Sequence, residues 1–401
     1  MTSQPLFDNI CGSKPPQKNI LNKHKFPVLQ NNKSIAEIGR NFMSILSIVA
    51  PALAIPCAFA LTRGRQIYRH SIVSEHGIQE CGYVTLGGIR QYVQIRGQDK
   101  RNPIILFLHG GPGNPTSCLS YHYQKELEHD FTLVNWDQRG CGRTFYENRG
   151  KDGPVTITQI LSDLDELIDY LLQRFGAQRL ILLGYSWGTV PGILYAKLHP
   201  EKLECYLSVC QCVHILSGSV YAAAHTAAQA KQQGDLAYAE LLEQKIDHFT
   251  HREQQFTKNG FADYTKLRDV TCAYQKSKTC KSLISYFQVG LLSPDCHLRD
   301  LRWKMRQLLL PHAYFAHEGM LIEYLSMQFD LRSLPPEFRV PVYFLTADDD
   351  RICPADMIEE YYCKVSAPNK KLLRLKAQTH TLFFDEPEVF CNSVKKLLQA
   401  T

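Results

Sequence analysis

The stretch from Leu180 to Leu198 constrains this chain more than any other. Leu180-Ile181-Leu182-Leu183 is a short apolar run, the pattern of a strand buried on both faces. It leads straight into Gly184-Tyr185-Ser186-Trp187-Gly188. Val190, Ile193, Leu194 and Leu198 then recur at helical spacing, and His199-Pro200 closes the helix. Strand, G-x-S-x-G and helix in that order predict a nucleophile elbow. The turn strains the serine, and glycines two before and two after let strand and helix pass close to it. The helix end behind it offers backbone N–H groups and partial positive charge to a developing oxyanion.

Similar strand ends recur along the chain. Tyr83 to Ile95 alternates apolar and polar residues around Gly87-Gly88, a hairpin pattern. Ile104 to Leu108 reads as a buried strand ending at His109-Gly110-Gly111-Pro112-Gly113. Phe131 to Asn135 is another, ending at Trp136-Asp137-Gln138-Arg139-Gly140-Cys141-Gly142-Arg143. Ile157 to Phe175 carries Ile160, Leu164, Leu167, Leu171 and Phe175 on one helical face. After the elbow come a strand from Leu203 to Val213, a strand from Val340 to Leu345 ending in Asp348-Asp349-Asp350, and a helix opened by Pro354. The last strand, Leu372 to Leu375, precedes His380, and Pro387 to Leu398 closes the chain. Strands alternating with helices predict an α/β fold with a mostly parallel central sheet flanked by helices. Residues 72–213 and 335–401 supply that core, and the helical, strand-poor residues 214–334 read as an inserted cap.

Residues 1–41 are polar, with scattered lysines, and read as a flexible basic tail. Phe42 to Leu61 is twenty residues without a charge, enough to span a bilayer as a single N-terminal anchor. Pro51 and Pro56 are tolerated in a membrane span. A buried helix and a cleaved signal are the other readings of this stretch. Lys33 and Arg40 precede it and Arg63, Arg65 and Arg69 follow, so the positive-inside count leans to a catalytic domain on the cytoplasmic side.

Composition excludes several classes. The formal charge of +6 is modest, and much of it falls within residues 1–70, so no basic groove for nucleic acid is expected. The fourteen cysteines include no C-x-x-C pair. Cys205, Cys210, Cys363 and Cys391 read as small buried hydrophobes in a reducing compartment, while Cys272 and Cys280 could pair in an oxidising one. The histidines show no metal-ligand spacing, and neither a metal nor another cofactor is expected. The sequence leaves the oligomeric state open.

A serine needs a base, and the base an orienting acid. Ser186, Asp350 and His380 all follow expected strand ends, where reacting groups collect in an open parallel sheet. His380 follows the final strand, and Asp350 stands four residues before Pro354. The three loops His109–Gly113, Asp137–Arg143 and Gly184–Gly188 together closely resemble the proline iminopeptidase (prolyl aminopeptidase) branch of the α/β-hydrolases, over roughly residues 80–401. The family's Gly-x-x-Asp-x-x-x-Pro acid motif is similar to Ala347 through Pro354, with Ala for Gly, and selects Asp350. Its Gly-His segment is similar to Thr379-His380, with Thr for Gly.

The resemblance implies an α/β-hydrolase fold with a helical cap and a catalytic triad of Ser186, Asp350 and His380. It also implies an oxyanion hole made by the backbone N–H groups of Gly111 and Trp187. His109, Gly110, Asp137 and Arg139 are expected to brace these loops. The family binds a substrate amine with cap carboxylates, but its Trp-rich segment ending in Glu is missing after Val213. Asp295, Asp300, Glu318 and Glu323 are the candidates in its place. The expected activity is release of an N-terminal residue, proline among the candidates, from a short peptide. An esterase or amidase acting on small apolar esters or amides is the alternative, and an interaction protein on a hydrolase scaffold is a third reading. The substrate is a small peptide or small molecule.

Overall fold

Every expected core strand forms, and the central five are apolar enough to be covered on both faces. The computed structural model describes residues 32–253, 260–274 and 283–399. Eight strands form one sheet: β1 (Ile78–Leu86), β2 (Ile89–Gly97), β3 (Ile104–Leu108), β4 (Thr132–Asp137), β5 (Leu180–Tyr185), β6 (Leu203–Val209), β7 (Val342–Ala347) and β8 (Lys370–Leu375). Their order across the sheet is β1-β2-β4-β3-β5-β6-β7-β8. β1 and β2 form the hairpin about Gly87-Gly88, β2 also runs antiparallel to β4, and all later pairs are parallel. β3, β4, β5 and β7 are buried along their whole length, which is why they read as continuous apolar runs and not as alternations.

The helix Ile157–Phe175 lies where its periodicity places it. Thr156 and Gln159 form a reciprocal capping box, and Gly176 ends the helix in the left-handed region. Its apolar stripe of Ile160, Leu164, Leu167 and Leu171 is fully buried in the core. Between β6 and β7 the described chain is helical: Ile215–Gln232, Leu236–Glu253, Gly260–Ala273, Leu283–Leu292, Leu298–Leu309 and Pro311–Glu323.

The N-terminal expectations fare differently. Residues 1–31 of the expected tail lie outside the described residues. Phe42 to Leu61 is not a separate element but part of one helix, Asn32–Arg69, in which neither Pro51 nor Pro56 breaks the run. Among the described residues no helix is long and apolar enough to cross a membrane. Phe42, residues 45–53 and Ile55 of the expected anchor lie outside the residues whose side chains are described. Cys280 also lies outside the described residues, and Cys272 is a free thiol. Cys205, Cys210 and Cys391 are buried as expected, but Cys363 is exposed, because it falls on the solvent face of the helix Ala355–Lys364.

Candidate active site

The elbow's geometry follows from its two glycines. A Cβ on Gly184 would stand 2.6 Å from the Gly188 carbonyl oxygen, and one on Gly188 would stand 2.1 Å from that of Leu108. Both neighbours are backbone, so no side chain is admitted at either position. Between them Ser186 sits at φ +52°, a conformation that costs an L-residue energy and persists only where its surroundings impose it. Thr189 helps to impose it. Its hydroxyl donates to the Ser186 carbonyl at 2.6 Å and accepts from the Cys212 backbone N–H at 3.0 Å. The elbow is thereby tied to the loop that follows β6.

Three side chains from three strand ends meet here. Ser186 Oγ lies 2.9 Å from His380 Nε2, and His380 Nδ1 lies 2.8 Å from Asp350 Oδ2. The other Asp350 oxygen accepts N–H bonds from Ile352 and Cys353, both at 2.8 Å, so the carboxylate is held in one orientation. Of the three consecutive aspartates only Asp350 is buried; Asp348 pairs with Arg374 instead. The His380 loop is fixed from both sides by buried Asp385, which accepts from the hydroxyls of Thr379 and Thr381 at 2.7 and 2.6 Å. Thr379 replaces the glycine of the resembling family and supplies one of these bonds. Neither Thr189 nor Asp385 was an expected site residue, because their partners are set by tertiary contacts.

The glycine loop after β3 lies directly against this group. A Cβ on Gly110 would come within 3.3 Å of Ser186 Cβ and 3.0 Å of the Tyr185 ring, and Gly111 adopts φ +128°. His109 is buried behind it, with Nδ1 2.8 Å from the Gly110 carbonyl oxygen. Burial lowers its pKa to about 4, which keeps the ring neutral. The Trp187 indole donates to Gln138 at 3.2 Å, which ties the elbow to the loop after β4.

The bracing expected of Asp137 and Arg139 divides. Asp137 accepts from the Ser117 hydroxyl at 2.7 Å and the Arg143 backbone N–H at 2.9 Å, so it does join the loops after β3 and β4. Burial and then the nearby Asp300 charge raise its pKa to about 6. Arg139 points elsewhere. It makes a two-point ion pair with Asp163 at 2.8 and 2.9 Å and donates to the Gly87 carbonyl. It therefore pins the β1–β2 turn to the helix Ile157–Phe175 and does not touch the glycine loop. A bare sequence position could not reveal this, because the arginine's length lets it reach either way.

The four inserted carboxylates also separate. Asp300 is paired with Arg143. Asp295 stands 3.8 Å from Arg96. Glu323 is exposed. Glu318 is different: it is 1% exposed, and neither carboxylate oxygen has a hydrogen-bond partner. It lies against the glycine loop, since a Cβ on Gly113 would meet its carboxyl carbon at 2.9 Å, and one on Gly140 would meet Oε1 at 2.7 Å. Burial, then Asp152, raises its pKa to about 8. An orphaned buried carboxylate is costly and calls for a reason.

A family model of the alpha/beta hydrolase fold matches residues 103–387. The chain is similar to the Probable aminopeptidase YbaC of Bacillus subtilis (strain 168), with 27% identity over 78% of this chain and 94% of that one. It is also similar to a proline iminopeptidase of Clostridioides difficile (strain 630), 31% identical over 31% of this chain and 41% of the relative. Among solved structures, the proline iminopeptidase-related protein from Thermus thermophilus superposes with a TM-score of 0.50 at 21% identity. That match covers 80% of this chain and 98% of the other, a likeness of fold.

Proposed function

Since the chain belongs to the alpha/beta hydrolase fold family, and so to a family of hydrolases, we propose that it is a serine hydrolase of the aminopeptidase kind. It releases the N-terminal residue of a short peptide through an acyl-enzyme, with proline a candidate for that residue. The observation that carries this reading is the unbroken chain from Ser186 Oγ through His380 to Asp350.

In this reading His380 Nε2 takes the Ser186 proton as the oxygen attacks the carbonyl, and later gives it to the leaving amine. Asp350 accepts from Nδ1–H, fixes the tautomer and offsets the imidazolium charge. The backbone N–H groups of Trp187 and Gly111 receive the oxyanion, which forms where the glycine loop passes Ser186. Water then enters by the same base and frees the acid.

Glu318 supports a place for the substrate's amino end. A free-amine substrate carries an ammonium that must meet a carboxylate when it is buried. Glu318 is the one inserted carboxylate of the four that is both buried and unpaired, and Gly113, which it touches, is three residues from Gly110 beside Ser186. Alone, Glu318 keeps its proton near neutral pH; the bound ammonium displaces that proton and becomes its partner. The test compares one good aminoacyl amide with its N-acetylated form. Turnover of the free amine should exceed that of the blocked compound by on the order of 100-fold or more. Equal rates would transfer the reading to an esterase or amidase with the same three residues.

A further inference from the structure

Beside the proposed triad stands a thiol that the hydrolytic reading does not use. Cys210 follows β6 at φ +53° and is wholly buried. Its backbone N–H is tied to the Leu345 carbonyl at 2.9 Å, so the residue cannot relax freely out of this conformation. Its Sγ, an Asp350 carboxylate oxygen and a His380 ring nitrogen all lie within 4.8 Å of one another. Two further cysteines share the setting. Cys353 donates its backbone N–H to Asp350, and a crevice lined by Gln211, Cys212, Ile352 and Cys353 runs along the same two loops.

We infer that Cys210, Asp350 and His380 form a binding site for a thiophilic divalent cation, for which zinc is the probe, and that its occupation arrests the hydrolase. The inference rests on the triad reading above. One thiolate, one imidazole and one carboxylate are a zinc-type donor set, with Zn–S near 2.3 Å and Zn–N and Zn–O near about 2.0–2.2 Å. Donors around such an ion stand roughly 3–4 Å apart, so the widest pair need close by roughly 1–2 Å. Thiolate and carboxylate together cancel the +2 charge, so the buried site is neutral once filled. Water can complete the coordination.

Cys210 gives up its thiol proton to solvent. The ion takes His380 Nδ1 in place of the proton donated to Asp350, and the imidazole carries its one proton on Nε2 instead. Nε2–H then donates to Ser186 Oγ and can no longer accept from it. The base is lost without any change in the serine.

The experiment titrates Zn²⁺ and Co²⁺ into the full-length protein and into Cys210→Ala. Hydrolysis of a chromogenic substrate and labelling by a fluorophosphonate probe report activity. The near-ultraviolet sulfur-to-cobalt charge-transfer band reports the thiolate bond independently of catalysis. Wild type should be inhibited reversibly, with recovery on adding EDTA, and should show the band. Cys210→Ala should stay active without metal, lack the band and need on the order of 10-fold more zinc or more for the same inhibition. Inhibition identical in both proteins, or no cobalt band in wild type, overturns the site. A band in wild type that is lost in Cys210→Ala, from a protein that neither turns over nor labels, leaves the metal site standing and removes the serine-hydrolase reading instead.

Discussion

Arg143, just after β4, grips Asp300 of the inserted helices at two points, Nε to Oδ1 at 2.8 Å and Nη2 to Oδ2 at 2.6 Å. Both side chains are buried. The same guanidinium donates to the Tyr92 hydroxyl at 2.6 Å and lies 4.3 Å over that ring. Asp300 meanwhile accepts from the His297 backbone N–H at the start of its own helix. This bidentate ion pair, fully partnered, is one of the ties that fasten the inserted helices to the sheet.

Asp300→Ala strands the Arg143 cation in the interior. Unfolding in urea should show a loss of about 3–5 kcal/mol, the cost of leaving a buried charge alone. Pairing it with Arg143→Met should recover much of that loss. A loss below about 1 kcal/mol for the single variant would show that the pair holds the insertion no better than a surface contact.

Ser186→Ala and His380→Ala should each lower kcat/KM by on the order of 10⁴-fold, and the double variant by little more, because the members act as a unit. A fluorophosphonate should label the wild type and not Ser186→Ala. Additive losses, or a label that survives, would refute the assignment.

Gly188→Ala drives a methyl group to 2.1 Å from the Leu108 carbonyl oxygen, and Gly184→Ala to 2.6 Å from that of Gly188. Since backbone must move in both, neither variant should be active, and Gly188→Ala should lower Tm the more. Gly176→Ala is the control: beyond the adjoining residues nothing lies within 4 Å of its added methyl group, and only the left-handed helix end is strained, at about 1 kcal/mol. It should keep its activity.

Glu318 makes the pH dependence of stability specific. Its folded pKa, about 8, stands above the ordinary carboxylate value of 4.5. Between these values the folded state holds a proton that the unfolded chain has lost. Its contribution is therefore fully present below the lower value and falls as pH rises, by at most about 1.4 kcal/mol per unit, until it levels above the upper one. Glu318→Gln cannot ionise. Its Tm should match wild type near pH 4 and exceed it near pH 9, while KM for free-amine substrates rises and that for blocked ones does not. An unchanged Tm difference across this range would contradict the buried, ionisable placement of Glu318.

Much of the site was legible in the chain because its chemistry is local. A run of apolar residues ending in G-x-S-x-G places Ser186 at a strand end, and glycines that admit no Cβ identify the loops that pass closest to it. Periodicity alone located the helix Ile157–Phe175 to the residue, since its apolar stripe is continuous. The expectations that the described structure does not bear out concern a long charged side chain and an uncharged stretch. Arg139 was expected at the glycine loop and turned to Asp163, and the uncharged stretch after Phe42 was expected to stand as a membrane span.

The sequence by itself therefore determined the strand order of the chemistry, the alternation that builds a parallel sheet and the candidates Ser186, Asp350 and His380. Backbone-level constraints such as a glycine turn act between neighbours and are readable without coordinates. Only the tertiary structure decided which carboxylates are neutralised and which is left alone. Asp295, Asp300, Glu318 and Glu323 are equivalent as letters, and their fates depend on whether an arginine from a distant strand or solvent comes within reach. The same holds for Cys210, whose thiol was an ordinary core residue in sequence and stands beside Asp350 and His380 in space. Burial and pairing are set by contacts across long sequence separations, and the low dielectric they create is what gives a lone carboxylate or thiol its chemical consequence.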